Sequence, residues 1–191
     1  MENKKRLVIG ITGASGSIFG VTALRILREL PDWETHLVIT RSAALTMQTE
    51  LKEDLGSILA LADVVHKEDD IAASISSGSY QTEGMLIAPC SMKTVSGIAN
   101  GFSDNLLLRA ADVTIKERRP LVILPREAPL SAIHLKNLLV LAEIGVIIIP
   151  PAPAFYHNPE TMEDVIRDIV GRSLKYFGIC NESLCKSWEG L

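Results

Sequence analysis

The segment VIGITGASGSIFG, at positions 8 to 20, has the residue types of an anion-binding turn. Its glycines Gly10, Gly13 and Gly16 lie between an apolar run and a helical pattern. Glycine lets backbone N–H groups approach a ligand closely, and a helix N-terminus adds about half a positive charge. The segment therefore favours a phosphate, with Ser15 as a nearby hydroxyl.

Two kinds of phosphate ligand suit such a turn, a nicotinamide dinucleotide and a flavin mononucleotide. A dinucleotide site uses an acidic residue at the end of the second strand to bind the ribose, whereas the second apolar run ends here at Thr40 and Arg41. The Tyr-x-x-x-Lys pair of short-chain dehydrogenases is missing, because Tyr80, Tyr156 and Tyr176 are followed four positions later by Gly, Glu and Cys. The mononucleotide is favoured, and a tight strand-to-helix turn without a ligand stays open.

Four later loops also carry groups that suit such a ligand. They read TRSA, PCSMKT, PREAP and PPAPAFYHNP in chain order, and each follows an apolar run. The hydroxyls of Thr40, Ser91 and Thr94 can bind phosphate or flavin oxygens. The sequence therefore predicts one site built from several loops.

The elements that must position these loops are short apolar strands with helices between them. Five apolar runs are typical of buried parallel strands, and they cover residues 7–11, 36–40, 85–88, 121–124 and 146–149. Segments with helical spacing separate them, so we predict a doubly wound, mostly parallel α/β sheet in a flavodoxin-like or Rossmann-like three-layer sandwich. Residues 1–191 are expected to form a single domain, with 179–191 as a short C-terminal extension. Because parallel strands end at one edge of a sheet, the loops should meet there.

The composition excludes several classes of partner. The 191 residues carry a formal net charge of −4 and 5% aromatic residues, without a basic block, so no nucleic acid is expected. No apolar run approaches the roughly 18 residues of a membrane span, and the start of the chain lacks the features of a signal peptide. We therefore expect a cytoplasmic protein without a membrane partner. The three cysteines are not spaced as pairs and the four histidines are scattered, so reduced thiols and no metal are expected.

Four stretches together resemble the UbiX-like flavin prenyltransferase family: TGASG, PCSMKT, RAADVTIKERRPLVILPREAPLSAIHL and PPAPAFYHNPE. The resemblance extends from about Leu7 to Gly178. It implies a metal-independent prenyltransferase that transfers a dimethylallyl group from dimethylallyl phosphate to N5 and C6 of reduced FMN. The product, prenylated FMN, would serve a UbiD-like decarboxylase. Relatives of this kind form trimers that assemble into homododecamers with the flavin between subunits.

The resemblance also implies which residues form the site. Tyr156 and Arg172 match contacts of the prenyl phosphate, while Lys116 and Glu127 match positions that face the reaction chamber. Ser15, Glu127 and Lys116 are the expected catalytic residues, and Lys116 also binds the donor. The expected flavin contacts are Gly13, Ala14, Ser15, Thr40, Ser91, Met92, Lys93, Thr94 and Arg126. Many relatives have serine at position 40, and threonine keeps the hydroxyl.

These residue types suit the implied reaction. When phosphate leaves an allylic carbon, negative charge grows on the leaving oxygens, and a cluster of Lys116, Arg126 and Arg172 with the Tyr156 hydroxyl would stabilise it. A carboxyl group among these cations, Glu127, is suited to proton transfer. Ser15 would relay a proton when the second bond to the flavin forms.

Several residues also have purely structural interpretations. Ser15 could cap a helix, and Arg109 and Lys116, seven positions apart, could form a solvated charged stripe. Cys90 follows an apolar strand and is expected to be a small buried residue rather than a nucleophile.

Besides a prenyltransferase, two other functions stay open: a cysteine decarboxylase and a flavin carrier. FMN-dependent cysteine decarboxylases share the expected fold and also bind flavin, but their PxMNxxMW motif is missing and APCSMKTVSG stands in the comparable region. Neither His134 nor His157 is expected to act as a catalyst. The third possibility is a non-catalytic flavin carrier subunit.

Overall fold

A six-stranded parallel sheet forms the centre of the fold within residues 4–180, the part of the chain that this computed structural model describes. All neighbouring strands pair in parallel, in the order β3-β2-β1-β4-β5-β6. The strands are β1 (Lys5–Ile11), β2 (Trp33–Ile39), β3 (Val64–His66), β4 (Gly84–Cys90), β5 (Leu121–Pro125) and β6 (Ile147–Ile148). The predicted doubly wound α/β fold is confirmed.

Helices cover both faces of this sheet. Within the described residues they are α1 (Ser17–Arg28), α2 (Arg41–Glu50), α3 (Leu55–Leu59), α4 (Met92–Ala99), α5 (Leu106–Lys116), α6 (Ala132–Glu143) and α7 (Met162–Leu174). The helices α1, α2, α3 and α7 pack against one face and form a first apolar core. The helices α4, α5 and α6 form a second core on the other face. The result is the expected three-layer sandwich.

The five predicted strands are all present, but one strand was missed. β3 has three residues, Val64–His66, and forms an edge of the sheet, so its apolar run is too short to stand out in the sequence. β2 begins at Trp33 rather than at residue 36. The prediction began too late because polar residues at the amino end of β2 interrupt its apolar pattern.

The predicted C-terminal extension falls mostly outside the described residues. Ile179 is buried in the first core, so packing continues one residue past Gly178. Residues 181–191 are not described, and the extension over them stays a prediction.

The strand order changes direction between β1 and β4. Consecutive strands before this point lie on one side of β1, and those after it lie on the other. In open parallel sheets a ligand binds outside the carboxyl ends of the strands at such a switch point. The loops that begin at Thr12 and at Ser91 lie there, so the fold places the glycine-rich segment beside the PCSMKT loop.

Candidate functional site

Thr12 joins the two strands at the switch point. Its side chain is 1% exposed. The hydroxyl donates to the carbonyl oxygen of Pro89 at 2.8 Å and accepts the N–H of Ser91 at 2.8 Å. Thr12 is not among the site residues predicted from the sequence, although a hydroxyl residue directly after a buried strand is a usable signal. Thr12 therefore fixes the distance between the two loops expected to hold a ligand.

The glycine-rich turn approaches the start of α2 closely. A Cβ atom on Gly13 would lie 2.5 Å from Ser42 Oγ, so only glycine fits without movement of Ser42. Gly16, at φ 103°, is the N-cap of α1 and has no side-chain cap. The structural interpretation of Ser15 as the helix cap is therefore wrong, and its exposed hydroxyl faces a different partner.

That partner is Glu50, a residue that the sequence analysis missed. The Glu50 carboxylate accepts the N–H of Gly16 at 2.9 Å and of Ser17 at 3.1 Å. Burial disfavours its charged form, but hydrogen bonds from the Ser15 side chain and from these two amides outweigh burial and hold the pKa of Glu50 below its ordinary value. Glu50 is thus an ionised carboxylate in contact with Ser15.

The N-termini of α1 and α2 already hold a carboxylate. Glu50 occupies the N-terminus of α1, as described. At α2, Glu68 Oε2 accepts the N–H of Arg41 at 2.7 Å, and the buried hydroxyl of Thr40 accepts the N–H of Ala43 at 3.2 Å. A second anion at either terminus would meet like charge. The structure therefore does not support the expected phosphate-binding site on the amides of the glycine turn.

The N-terminus of α4 has a different set of groups. Ser91 is its N-cap and accepts the N–H of Thr94 at 3.4 Å, while the two hydroxyl oxygens lie 3.1 Å apart. Lys93 is exposed in the first turn. Within residues 4–180 no carboxylate is hydrogen-bonded to this turn, whose first N–H groups have no partner inside the helix. Amides, hydroxyls and an ammonium group together suit a phosphate.

The loop after β5 brings two more predicted residues to the same edge. The N–H of Arg126 donates to the carbonyl oxygen of Cys90 at 3.2 Å, which fixes this loop to the PCSMKT loop. Both Arg126 and Glu127 are exposed, and Glu127 Oε1 accepts the N–H of Ala128 at 3.0 Å. Cys90 itself is fully buried, and burial raises the pKa of its thiol. The structural interpretation of Cys90 therefore fits better than a nucleophile.

Tyr156 follows β6, next to the Arg126 loop along the sheet. It lies on a short 3₁₀ turn, Phe155–His157, and its side chain is 53% exposed. Its neighbour His157 is hydrogen-bonded to Asp168 in the middle of α7, so Tyr156 lies beside this helix, about one helical turn from Arg172.

Lys116 and Arg172 lie at the opposite edge of the sheet. Lys116 is the last residue of α5 and forms an ion pair with Glu117. The whole of β5 lies between Lys116 and Arg126, and the length of this strand is roughly 13 Å at about 3.3 Å per residue. Arg172 is exposed in the last turn of α7. Five residues later, Phe177 packs against Gly84 at the amino end of β4. Within one chain, these two cations are therefore not brought to Glu127.

The described residues include neither a metal-binding cluster nor a membrane-spanning helix. Among residues 4–180 there is no group of three or more His, Cys, Asp and Glu side chains placed to hold a metal ion. The same residues include no helix that is long and apolar enough to cross a membrane.

Comparison with known proteins decides the family. The Flavoprotein family matches residues 1–174. Flavin prenyltransferase UbiX of Escherichia coli (strain K12) is 54% identical over 187 residues, which cover 97% of this chain and 99% of the relative. The chain belongs to the UbiX flavin prenyltransferase family. A probable UbiX-like flavin prenyltransferase of Streptomyces sp. (strain D7) is 50% identical and covers 97% of this chain and 92% of its own length.

Solved structures of this family have the same fold. AnUbiX (PadA1), in complex with FMN and dimethylallyl pyrophosphate, has a TM-score of 0.95 at 44% identity and covers 98% of this chain and 99% of its own. A dodecameric FMN-dependent UbiX-like decarboxylase from Escherichia coli O157:H7 has a TM-score of 0.93 at 48% identity, covering 97% and 100%. The cysteine decarboxylase SpaF, at 20% identity, covers 80% of this chain and 86% of its own with a TM-score of 0.64, and shares the fold alone. The family predicted from the sequence motifs is confirmed.

Proposed function

We propose that this protein transfers a dimethylallyl group from dimethylallyl phosphate to N5 and C6 of reduced FMN. The observation that carries the proposal is the arrangement at the switch point. There the amides, hydroxyls and cations of the Ser91 and Arg126 loops lie beside the Ser15–Glu50 pair, in a chain of the UbiX family. This arrangement offers a phosphate seat and proton-transfer groups at one edge of the sheet.

The residues at this edge suit FMN as the bound flavin. We place its phosphate at the N-terminus of α4, because Glu50 and Glu68 already occupy the N-termini of α1 and α2. The ring system would then lie along the strand ends towards Ser15. The reduced flavin supplies the nucleophilic N5 and C6 positions, and Gly13, Ala14, Thr40 and Met92 complete the proposed contacts.

Two carboxyl groups are placed for proton transfer at different atoms. Glu127 is exposed on the loop after β5 and would deliver a proton to the departing phosphate. Glu50 is held ionised by the Ser15 hydroxyl and two amides, so it can accept a proton that Ser15 relays from the flavin side. Each carboxyl group thus serves a separate step, and neither step needs a metal ion.

We propose that the site is completed by other copies of the chain. Departure of the donor phosphate is assisted by cations, yet Lys116 and Arg172 lie at the edge opposite Glu127 within one chain. A neighbouring chain in a trimer or dodecamer would supply them, and Tyr156, whose turn is hydrogen-bonded to the same helix that carries Arg172, would bind the same phosphate. The dodecameric relative supports such an assembly.

The product would pass to a UbiD-like decarboxylase as its prenylated FMN cofactor. This partner and a cytoplasmic location follow from the resemblance and the composition, and both stay predictions. Cysteine decarboxylation is a weaker alternative, because those enzymes share only the fold with this chain.

The proposal is tested by mass spectrometry of the flavin after anaerobic incubation. The purified protein is mixed with dithionite-reduced FMN and dimethylallyl monophosphate, in parallel with the diphosphate ester and with no donor. We expect a flavin heavier by one five-carbon unit with at least one ester. Unmodified flavin with both esters, from protein that binds FMN, would favour a carrier or a cysteine decarboxylase instead.

A further inference from the structure

His157 and Asp168 form an oriented pair beside Tyr156. The His157 Nδ1 atom lies 3.0 Å from Asp168 Oδ1. The two side chains are 10% and 16% exposed. A carboxylate can only accept a hydrogen bond, so the imidazole donates its Nδ1–H. Because His157 belongs to the turn after β6 and Asp168 to α7, the bond joins that turn to the helix.

The imidazole in turn contacts the Tyr156 ring. The two ring centroids are 4.3 Å apart, and the ring planes meet at 71°. This edge-to-face arrangement is a preferred geometry of aromatic pairs. The bond to Asp168 fixes the plane of the imidazole, so Tyr156 rests on a neighbour that cannot rotate without breaking that bond.

The other imidazole nitrogen shows that packing alone does not explain a histidine here. His157 Nε2 is buried and has no hydrogen-bond partner among residues 4–180. A buried polar atom without a partner lowers stability, and a phenylalanine of similar shape would avoid that loss. What phenylalanine lacks is the Nδ1–H group that fixes the ring to Asp168.

We propose that His157, oriented by Asp168, is a positioning residue that holds the Tyr156 phenol ready for the phosphate of the prenyl donor. This inference rests on the proposed function, in which Tyr156 binds that phosphate. A half-exposed tyrosine on a three-residue turn samples several rotamers unless a neighbour restricts it. Restricting the rotamer before the donor arrives lowers the entropy lost on binding.

The test removes the pair and measures donor binding without turnover. In the variant His157→Phe/Asp168→Leu both polar partners become apolar, so we expect the melting temperature to stay the same or rise. Titration calorimetry of dimethylallyl monophosphate into protein loaded with oxidised FMN should show a donor Kd raised about fivefold, the effect of one weakened hydrogen bond. The Kd for FMN should not change.

A double-mutant cycle tests whether the effect passes through Tyr156. In a Tyr156→Phe background, the same two substitutions should change the donor Kd by less than about twofold, because the group they position is already gone. Asp164→Asn is the matched control, since Asp164 lies on the same helix and forms a capping box with Thr161. It should lower the melting temperature and leave the donor Kd unchanged.

Three results would overturn the inference. The first is an unchanged donor Kd in the double variant. The second is an equal rise of the donor Kd when the two substitutions are made in the Tyr156→Phe background. The third is a double variant that loses both stability and FMN binding. If the double variant does not fold, Asp168→Ala replaces it, because alanine removes the acceptor of the His157 Nδ1–H. An unchanged donor Kd there would also overturn the inference. Failure of the proposed function is distinguishable, because then the wild-type protein itself yields no prenylated flavin.

Discussion

Glu50 shows why the position of a phosphate could not be inferred from the glycine spacing alone. The glycine turn and the helix behind it have the features of an anion site, but the carboxylate that fills it comes from a residue 34 positions away from Gly16. No motif surrounds Glu50, and only the folded chain brings it to Ser15. We therefore propose the PCSMKT loop as the phosphate site, with Lys93 as its cation.

We predict that Lys93→Gln weakens binding of FMN about tenfold and of riboflavin by less than about twofold, because riboflavin lacks the phosphate that the ammonium group would bind. Quenching of flavin fluorescence gives both dissociation constants. Lys136→Gln removes the same charge from the exposed surface of α6 and should change neither. An equal loss of riboflavin binding would contradict a phosphate seat at α4.

The elements of the fold were predictable where they are long and apolar. The runs of β1, β2, β4 and β5 are recognisable because a strand buried on both faces is a nearly continuous apolar segment. The three-residue strand β3 is not, since its pairing with β2 decides its structure rather than its own composition. A contact between distant elements, such as that of Glu50 with the N-terminus of α1, leaves no local pattern that a sequence can show.

The cap that Glu50 supplies to α1 predicts a pH-dependent stability. Hydrogen bonds to the carboxylate hold its folded-state pKa below the ordinary value of 4.5. Its stabilising effect is therefore complete above about pH 4.5 and is lost as the pH falls through the folded-state pKa. Glu50→Gln should lower the free energy of unfolding at pH 7.5 by about 0.3–1 kcal/mol, the usual effect of a charge at a helix N-terminus.

Urea denaturation of both proteins at fixed concentration, at pH 7.5 and at pH 3.5, measures this difference. We expect the difference between wild type and Glu50→Gln to shrink at the lower pH. Glu29→Gln is a control on the same helix, because Glu29 is the C-cap of α1, where removing a negative charge is neutral or favourable. A pH-independent difference for Glu50→Gln would show that its charge does not stabilise the helix.

At the scale of the whole molecule, the fold separates residues that the family resemblance assigns to one site. Lys116, Arg126 and Arg172 match one family pattern, and yet a parallel sheet places helix ends and strand ends at opposite edges. A site that needs both edges must use more than one chain. The proposed sharing of a site between chains is testable by mixing inactive variants.

We predict that Glu127→Ala and Arg172→Ala chains, each inactive alone, regain activity when they are co-assembled. If each site takes Glu127 from one chain and Arg172 from another, random assembly of equal amounts gives about a quarter of the wild-type sites. The measurement is the rate of prenylated flavin formation after co-expression with different affinity tags and purification through both. Co-assembly of Glu127→Ala with Ser15→Ala is the matched control, because both residues lie at the carboxyl edge of the same chain, so no complete site can form. Recovery in the control pair, or none in the test pair, would contradict a site that takes Ser15 and Glu127 from one chain and Arg172 from its neighbour.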